Sequence, residues 1–241
     1  MSSDVYQRTL GQAGAIDRAG YDEGLRQHML RVYNIMGLGL LLTGVVAMVT
    51  ASTPVLYNAI FGTPLQWVVM FAPLGFVLFI SFKADSMSAA RTQTLFWAFA
   101  SVMGVSSAWI FQVYTGASVA RVFFITAGLF GAMSLYGYTT KRDLSAMGSF
   151  LFMGLIGVIL ASVVNIFLAS TALQFAISII GVLVFTGLTA YDTQRIKELY
   201  DEGAGNESMS KLAVMGALSL YLSFINLFML LLQFFGGQQQ E

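Results

Sequence analysis

The chain alternates long apolar runs with short polar joints. Apolar runs lie near residues 33–52, 65–82, 93–114, 119–138, 146–169, 172–191 and 212–235. Each is close to the roughly 20 residues that a helix needs to cross a hydrocarbon core. The joints carry chain-turning residues, as in TPVLYNAIFGTP at 53–64 and TGAS at 115–118. A spanning barrel would instead show short segments of alternating polarity, and these runs are continuous and rich in Leu, Phe, Met and Gly. The pattern predicts an all-α, polytopic membrane protein with about seven transmembrane helices.

Composition agrees, and it narrows the chemistry. Hydrophobic residues make up 57% of the 241 and charged residues 10%, against about 25% charged in soluble domains. With the bilayer as its medium, the chain has no Cys, which excludes disulfides and thiolate chemistry. Its single histidine, His28, lies in a polar arm and gives histidine catalysis little support. Net charge is zero, so nothing favours a nucleic acid partner. No nucleophile stands near a base, and neither a metal-ligand cluster nor a phosphate loop is present. An enzyme is therefore the least supported class, and no cofactor is expected.

Three regions follow: an N-terminal arm at 1–32, a seven-helix transmembrane domain at 33–236 and a polar tail at 237–241. The arm is too long and mixed for a secretory signal. Its end, YDEGLRQHMLRVY at 21–33, has helical spacing and reads either as an interfacial helix or as a loosely ordered tail.

Orientation follows from the positive charges. Arg8, Arg18, Arg26 and Arg31 precede the first run, Lys83 and Arg91 flank the joint after the second, Lys141 and Arg142 follow the fourth, and Arg195, Lys197 and Lys211 follow the sixth. Only Arg121 falls on the opposite side. A cytoplasmic N-terminus is expected, with the C-terminus across the membrane unless the last segment is a hairpin that returns the tail.

Glycines such as Gly37, Gly39, Gly104, Gly128, Gly154 and Gly157 suit close helix approach. Asn34, Gln112, Asn165, Gln174 and Asn226 read as interfacial or interhelical hydrogen-bonding residues. Ionisable side chains at depth are costlier and more informative. Lys83 and Arg121 have long stems and read first as snorkelling anchors. Asp192, at the end of GVLVFTGLTAYD, has a short stem, and a buried role is as well supported as a helix exit.

The segment TAYDTQRIKELY at 189–200, the run GALSLYLSFINLFMLLLQFFG at 216–236 and TTKRDLSAMGSFL at 139–151 together resemble the Bax inhibitor-1 family of seven-helix membrane proteins, in its bacterial branch. The resemblance implies a helical bundle around a central, hydrophobic C-terminal helix in a bacterial inner membrane. It also implies a pH-responsive calcium leak, in which two membrane aspartates share a proton and a basic residue from the second span pairs with one of them. Carried over by position, the first aspartate is Asp192. The second falls on Ser223, in LYLSFINLF, where the family pattern has Asp. The basic partner falls on Lys83, in FISFKADS, with Arg91 as the alternative and Asn226 as a further pore-side candidate.

The serine alters the physics. Two adjacent carboxylates titrate as a pair because both cannot ionise cheaply, whereas a carboxylate beside a hydroxyl has no like-charge partner. Calcium also takes several oxygen ligands with compensating charge, and Ser223 supplies no charge. Two functions stand side by side: a calcium-permeable leak gated at Asp192, and a membrane scaffold that binds another membrane protein, such as a quality-control protease. The expected partners are the lipid bilayer, calcium ion and a membrane protein.

Overall fold

The computed structural model describes residues 2–237, with side chains from residue 22 onward apart from that of Asp85. Among the described residues the chain is helical throughout: α1 (Ser2–Ser52), α2 (Pro54–Phe61), α3 (Leu65–Lys83), α4 (Ala89–Ser106), α5 (Ile110–Val113), α6 (Gly116–Thr139), α7 (Ser145–Leu168), α8 (Thr171–Glu198) and α9 (Asn206–Phe235). Seven stretches are long and apolar enough to span a membrane: residues Asp22–Ser52 of α1, α3, Ala89–Val113 through α4 and α5, and each of α6 to α9. These are the seven apolar runs, with shifted ends.

The shifts have local causes. The arm and the first span form one helix, so YDEGLRQHMLRVY continues α1 without a break. The joint at 53–64 contains α2, which starts at Pro54, where the missing N–H of proline costs nothing. The third span breaks at residues 107–109 into α4 and α5. Helix α8 outruns its apolar stretch to Glu198, with Arg195 and Lys197 in its last turn, where cations complement the helix dipole. Asp192 therefore lies inside a helix, with further turns beyond it.

The core forms where α1, α4 and α9 meet. The fully buried ring of Tyr221 lies edge-on to Phe96 at 5.8 Å and Phe99 at 5.4 Å, a favourable aromatic geometry. Its Oη shares a 2.6 Å hydrogen bond with Thr43 Oγ1, which donates to the Ala100 carbonyl at 2.8 Å. Close approach of α1 to α4 depends on Gly104, where a Cβ would stand 2.7 Å from the Thr43 carbonyl oxygen. The main neighbours of α9 are α1, α4, α6 and α8. In its most apolar stretch 67% of residues are buried, against 11% in α3 and in α7.

The last span is a single helix rather than a hairpin; the tail at 238–241 lies outside the described residues. The chain just beyond α9 is fastened to the start of α6, with Thr115 N donating to the Gly237 carbonyl at 3.1 Å and Gly237 N donating to Ser118 Oγ at 2.7 Å. The end of α1 lies nearby, where Gln112 Nε2 donates to the Ala51 carbonyl at 3.2 Å. The arm and the last described residues thus sit at opposite ends of the bundle.

Candidate functional site

Two of the segments singled out in the sequence hold each other in place. In TAYDTQRIKELY, Gln194 Oε1 accepts from Leu144 N and its Nε2 donates to the Arg142 carbonyl, both at 2.8 Å. Lys197 Nζ donates to the Tyr138 carbonyl at 2.9 Å. The amide thereby satisfies backbone groups of the α6–α7 connection, and the ammonium satisfies a carbonyl in the last turn of α6; TTKRD runs from that turn into the connection. Asp143 there accepts from Ser145 N at 2.8 Å, and hydrogen bonding from Ser145 holds its carboxyl below the usual carboxylate range. Two glycines bring the helices together: a Cβ on Gly148 would stand 2.3 Å from the Tyr191 ring, and one on Gly137 would stand 2.2 Å from the Ala190 carbonyl oxygen. With Gln194 and Lys197 fixed on one side of α8, the Asp192 and Arg195 side is turned toward α9.

There, half-buried Asp192 meets two hydroxyls. Ser219 Oγ donates to Asp192 Oδ2 at 2.9 Å, and Ser223 Oγ donates to the same oxygen at 3.2 Å. Ser219 and Ser223 are one helical turn apart and share a face of α9. Bonds from hydroxyl donors to a carboxylate are stronger than those between neutral groups. Asp192 is thus tethered to the last helix by one oxygen.

The other candidates lie elsewhere. Lys83, at the end of α3, is exposed, and no ion pair joins it to Asp192. Its helix packs on α2 and α4 rather than on α8, so similar depth does not bring the two together. Arg91 is also exposed, in the first turn of α4, where its backbone N–H donates to the Ser88 side chain at 3.4 Å. Asn226 is the exception: its Nδ2 donates to the Leu222 carbonyl of its own helix at 2.8 Å, and it lines a cavity that Asp192 and Ser223 also line. A basic side chain that lines both cavities beside Asp192 is Arg195, three residues on. Ser219 was absent from the sequence candidates; its spacing of four from Ser223 was the available signal.

Two cavities meet at Asp192. The larger, about 1020 Å³, runs between α7, α8 and α9 from Gly148 and Arg195 to Ile166, Gln174 and Gln233. The smaller, about 670 Å³, lies toward α1 and the start of α9 and is lined by His28, Ser208 and Lys211. Asp192, Arg195, Ser219 and Leu222 line both. At the far end of the larger cavity, neutral side chains form a chain of bonds. Asn165 Nδ2 donates to Gln174 Oε1 at 3.0 Å, and Gln174 Nε2 and Ser178 Oγ both donate to Gln233 Oε1 at 2.8 Å.

Among the described residues no three His, Cys, Asp or Glu side chains are grouped to hold a metal ion. One carboxylate and two hydroxyls fall short of the six to eight oxygens of a resident calcium site. They suit a brief contact with a partly hydrated cation.

A profile of the family described as "Inhibitor of apoptosis-promoting Bax1" matches residues 25–240. The chain is 51% identical to an uncharacterised protein of Rickettsia prowazekii, over 91% of this chain and 93% of that one. It is 46% identical to "Inner membrane protein YbhL" of Escherichia coli, over 90% of this chain and 94% of that one. It is also 35% identical to an uncharacterised membrane protein of Streptococcus pyogenes, over 89% of this chain and 94% of that one.

Proposed function

The chain belongs to the Bax inhibitor-1 family, and from that premise we propose that it is a cation leak pathway of a bacterial inner membrane, with calcium as the conducted ion and Asp192 as the gate. One observation carries the reading: a lone membrane carboxylate, tethered by Ser219 and Ser223, stands in the wall common to two cavities. A cation passing from one to the other would exchange water for carboxylate and hydroxyl oxygens. At an effective dielectric constant of about 20, unit charges 4 Å apart interact by roughly 4 kcal/mol, enough for the carboxylate to set the barrier.

The positive charges orient the pathway, with the arm, the α6–α7 connection and the α8–α9 loop in the cytoplasm. Cysteines introduced at positions 142 and 204 of this Cys-free chain should resist an impermeant thiol reagent outside intact cells; reaction at either would reverse the orientation. In this reading α9 is the axis around which the other spans are arranged.

Calcium uptake into proteoliposomes tests the leak. Asp192→Asn keeps the shape of the side chain and removes its charge, and it should lower flux at least about tenfold, a factor that corresponds to roughly 1.4 kcal/mol. The replacement of the family's second carboxylate by Ser223 favours one further reading, a membrane scaffold that binds another membrane protein such as a quality-control protease. No flux from either protein would support that reading.

A further inference from the structure

The larger cavity is open on one side. Helix α7 packs on α8 rather than on α9, so the space between α7 and α9 faces sideways into the bilayer. The α7 side chains Phe152, Ile159 and Ile166 line it and are 58%, 53% and 76% exposed. Set seven residues apart, they form one stripe of the helix, about 21 Å long at 1.5 Å of rise per residue. That exceeds one leaflet of a hydrocarbon core roughly 30 Å thick. A membrane fills such a groove with acyl chain.

The charges at one end of the groove select the headgroup. Both serine hydroxyls bond Asp192 Oδ2. Oδ1 takes neither bond, and among the described residues the buried side-chain atoms left without a partner are His28 Nε2 and Thr186 Oγ1. Oδ1 is therefore open to the cavity rather than sealed. Arg195 is exposed and lines the same cavity, yet no ion pair joins it to Asp192. Residues three apart on a helix stand about 5–6 Å apart at Cβ. One negative and one positive group at that spacing match a zwitterion whose ammonium and phosphate are separated by two carbons. Arg195 is also one turn from the end of α8 at Glu198, close to where the helix leaves the hydrocarbon.

We propose that the larger cavity is a binding site for a zwitterionic phospholipid with a primary ammonium, which lies on Asp192 Oδ1 while the phosphodiester meets Arg195 and one acyl chain fills the groove between α7 and α9. A primary ammonium offers three N–H donors, and its bond to a carboxylate is charge-assisted. A quaternary ammonium has no N–H to donate, and an anionic headgroup would meet the Asp192 charge. The bound ammonium takes the oxygen that a conducted cation needs, so the lipid restrains the pathway. In that consequence alone the inference rests on the leak reading, and binding is measured without flux.

The test uses the full chain in a neutral sugar detergent and follows its melting temperature against added phosphatidylethanolamine, phosphatidylcholine or phosphatidylglycerol with identical short chains. Phosphatidylethanolamine should stabilise saturably, at a concentration roughly tenfold below that of either other lipid. Asp192→Asn should abolish that preference, whereas Glu202→Gln, an equal loss of charge at an exposed position of the α8–α9 loop, should keep it. Arg195→Gln should weaken phosphatidylethanolamine and phosphatidylcholine alike, since both carry the phosphodiester. Because each variant is compared with itself across lipids, a change in its lipid-free melting temperature does not affect the reading. Absence of saturable stabilisation, equal response to the three lipids, a preference for phosphatidylglycerol, or a phosphatidylethanolamine preference that survives Asp192→Asn would overturn the proposal. Preference without calcium flux would leave it standing and remove the leak, and flux without preference would do the reverse.

Discussion

The larger cavity has two unlike ends. At one, Asp192 and Arg195 carry formal charge, and two serines hold the carboxylate by a single oxygen. At the other, Asn165, Gln174 and Gln233 bond to one another, and Ser178 completes the set. Both ends join α8 to α9 by polar side chains in an apolar bundle. Only the first can change charge or bind an ion strongly. The amide end can break and re-form only at the cost of neutral hydrogen bonds, which average about 0.6 kcal/mol between membrane helices. Polarity within a span is therefore two things: a staple where it is neutral and mutually bonded, and, in the leak proposed here, a control point where an ionisable group is held by donors that can release it.

Placing a second charge at the first end should have the largest effect. Ser223→Asp sets a carboxylate beside Asp192, and the pair must then titrate as a unit. Calcium flux should change several-fold between about pH 6 and 8 in that variant and much less in the natural chain, as measured in the same vesicles. A natural chain with an equally steep response that Asp192→Asn abolishes would show that one carboxylate suffices, and the contrast between charge pair and lone charge would fail.

The neutral end should answer in stability rather than flux. Gln174→Leu removes the bond from Asn165 and the bond to Gln233, so unfolding in mild detergent should become easier by about 1 kcal/mol. Flux should remain within about twofold, since the change leaves Asp192 untouched; a tenfold change, equivalent to roughly 1.4 kcal/mol, would make the amide cluster a second gate. A smaller effect separates the two basic candidates. Lys83→Met and Asp192→Asn should be additive in stability within about 0.5 kcal/mol, because the side chains do not meet, whereas Arg195→Met and Asp192→Asn should depart from additivity by more. Coupling of Lys83 and Asp192 alone would restore the pairing that the family resemblance implied.

The spans were legible because membrane thickness imposes one length on every helix, and seven runs met it. Their ends were not. Helix α8 runs past its apolar residues because Gln194 and Lys197 find backbone partners on the α6–α7 connection and in the last turn of α6, a tertiary effect that a hydropathy pattern does not contain. The family motifs led to Asp192 and Ser223, and the two do bond. Ser219 escaped notice because a helical serine can equally bond the carbonyl one turn back, as Ser162 does with Val158 at 2.7 Å. Lys83 was misleading for a different reason: depth along the membrane normal follows from sequence position, but direction around the bundle depends on which helices pack. Nor could the sequence reveal that the wall beside Asp192 serves two cavities, since that depends on the paths of α1, α7, α8 and α9 together.

The central claim is that the carboxylate conducts and its two hydroxyl donors restrain it. The direct measurement is calcium flux into proteoliposomes for the natural chain, Asp192→Asn and the double change Ser219→Ala with Ser223→Ala. Each bond from a hydroxyl to a charged oxygen is worth about 1.5–3 kcal/mol, so freeing Asp192 should raise flux roughly tenfold, while removing its charge should lower flux by at least as much. Opposite signs are the predicted result. A fall in both variants, or a rise in both, would contradict the account, because the serines and the aspartate would then act as one element rather than as restraint and conductor.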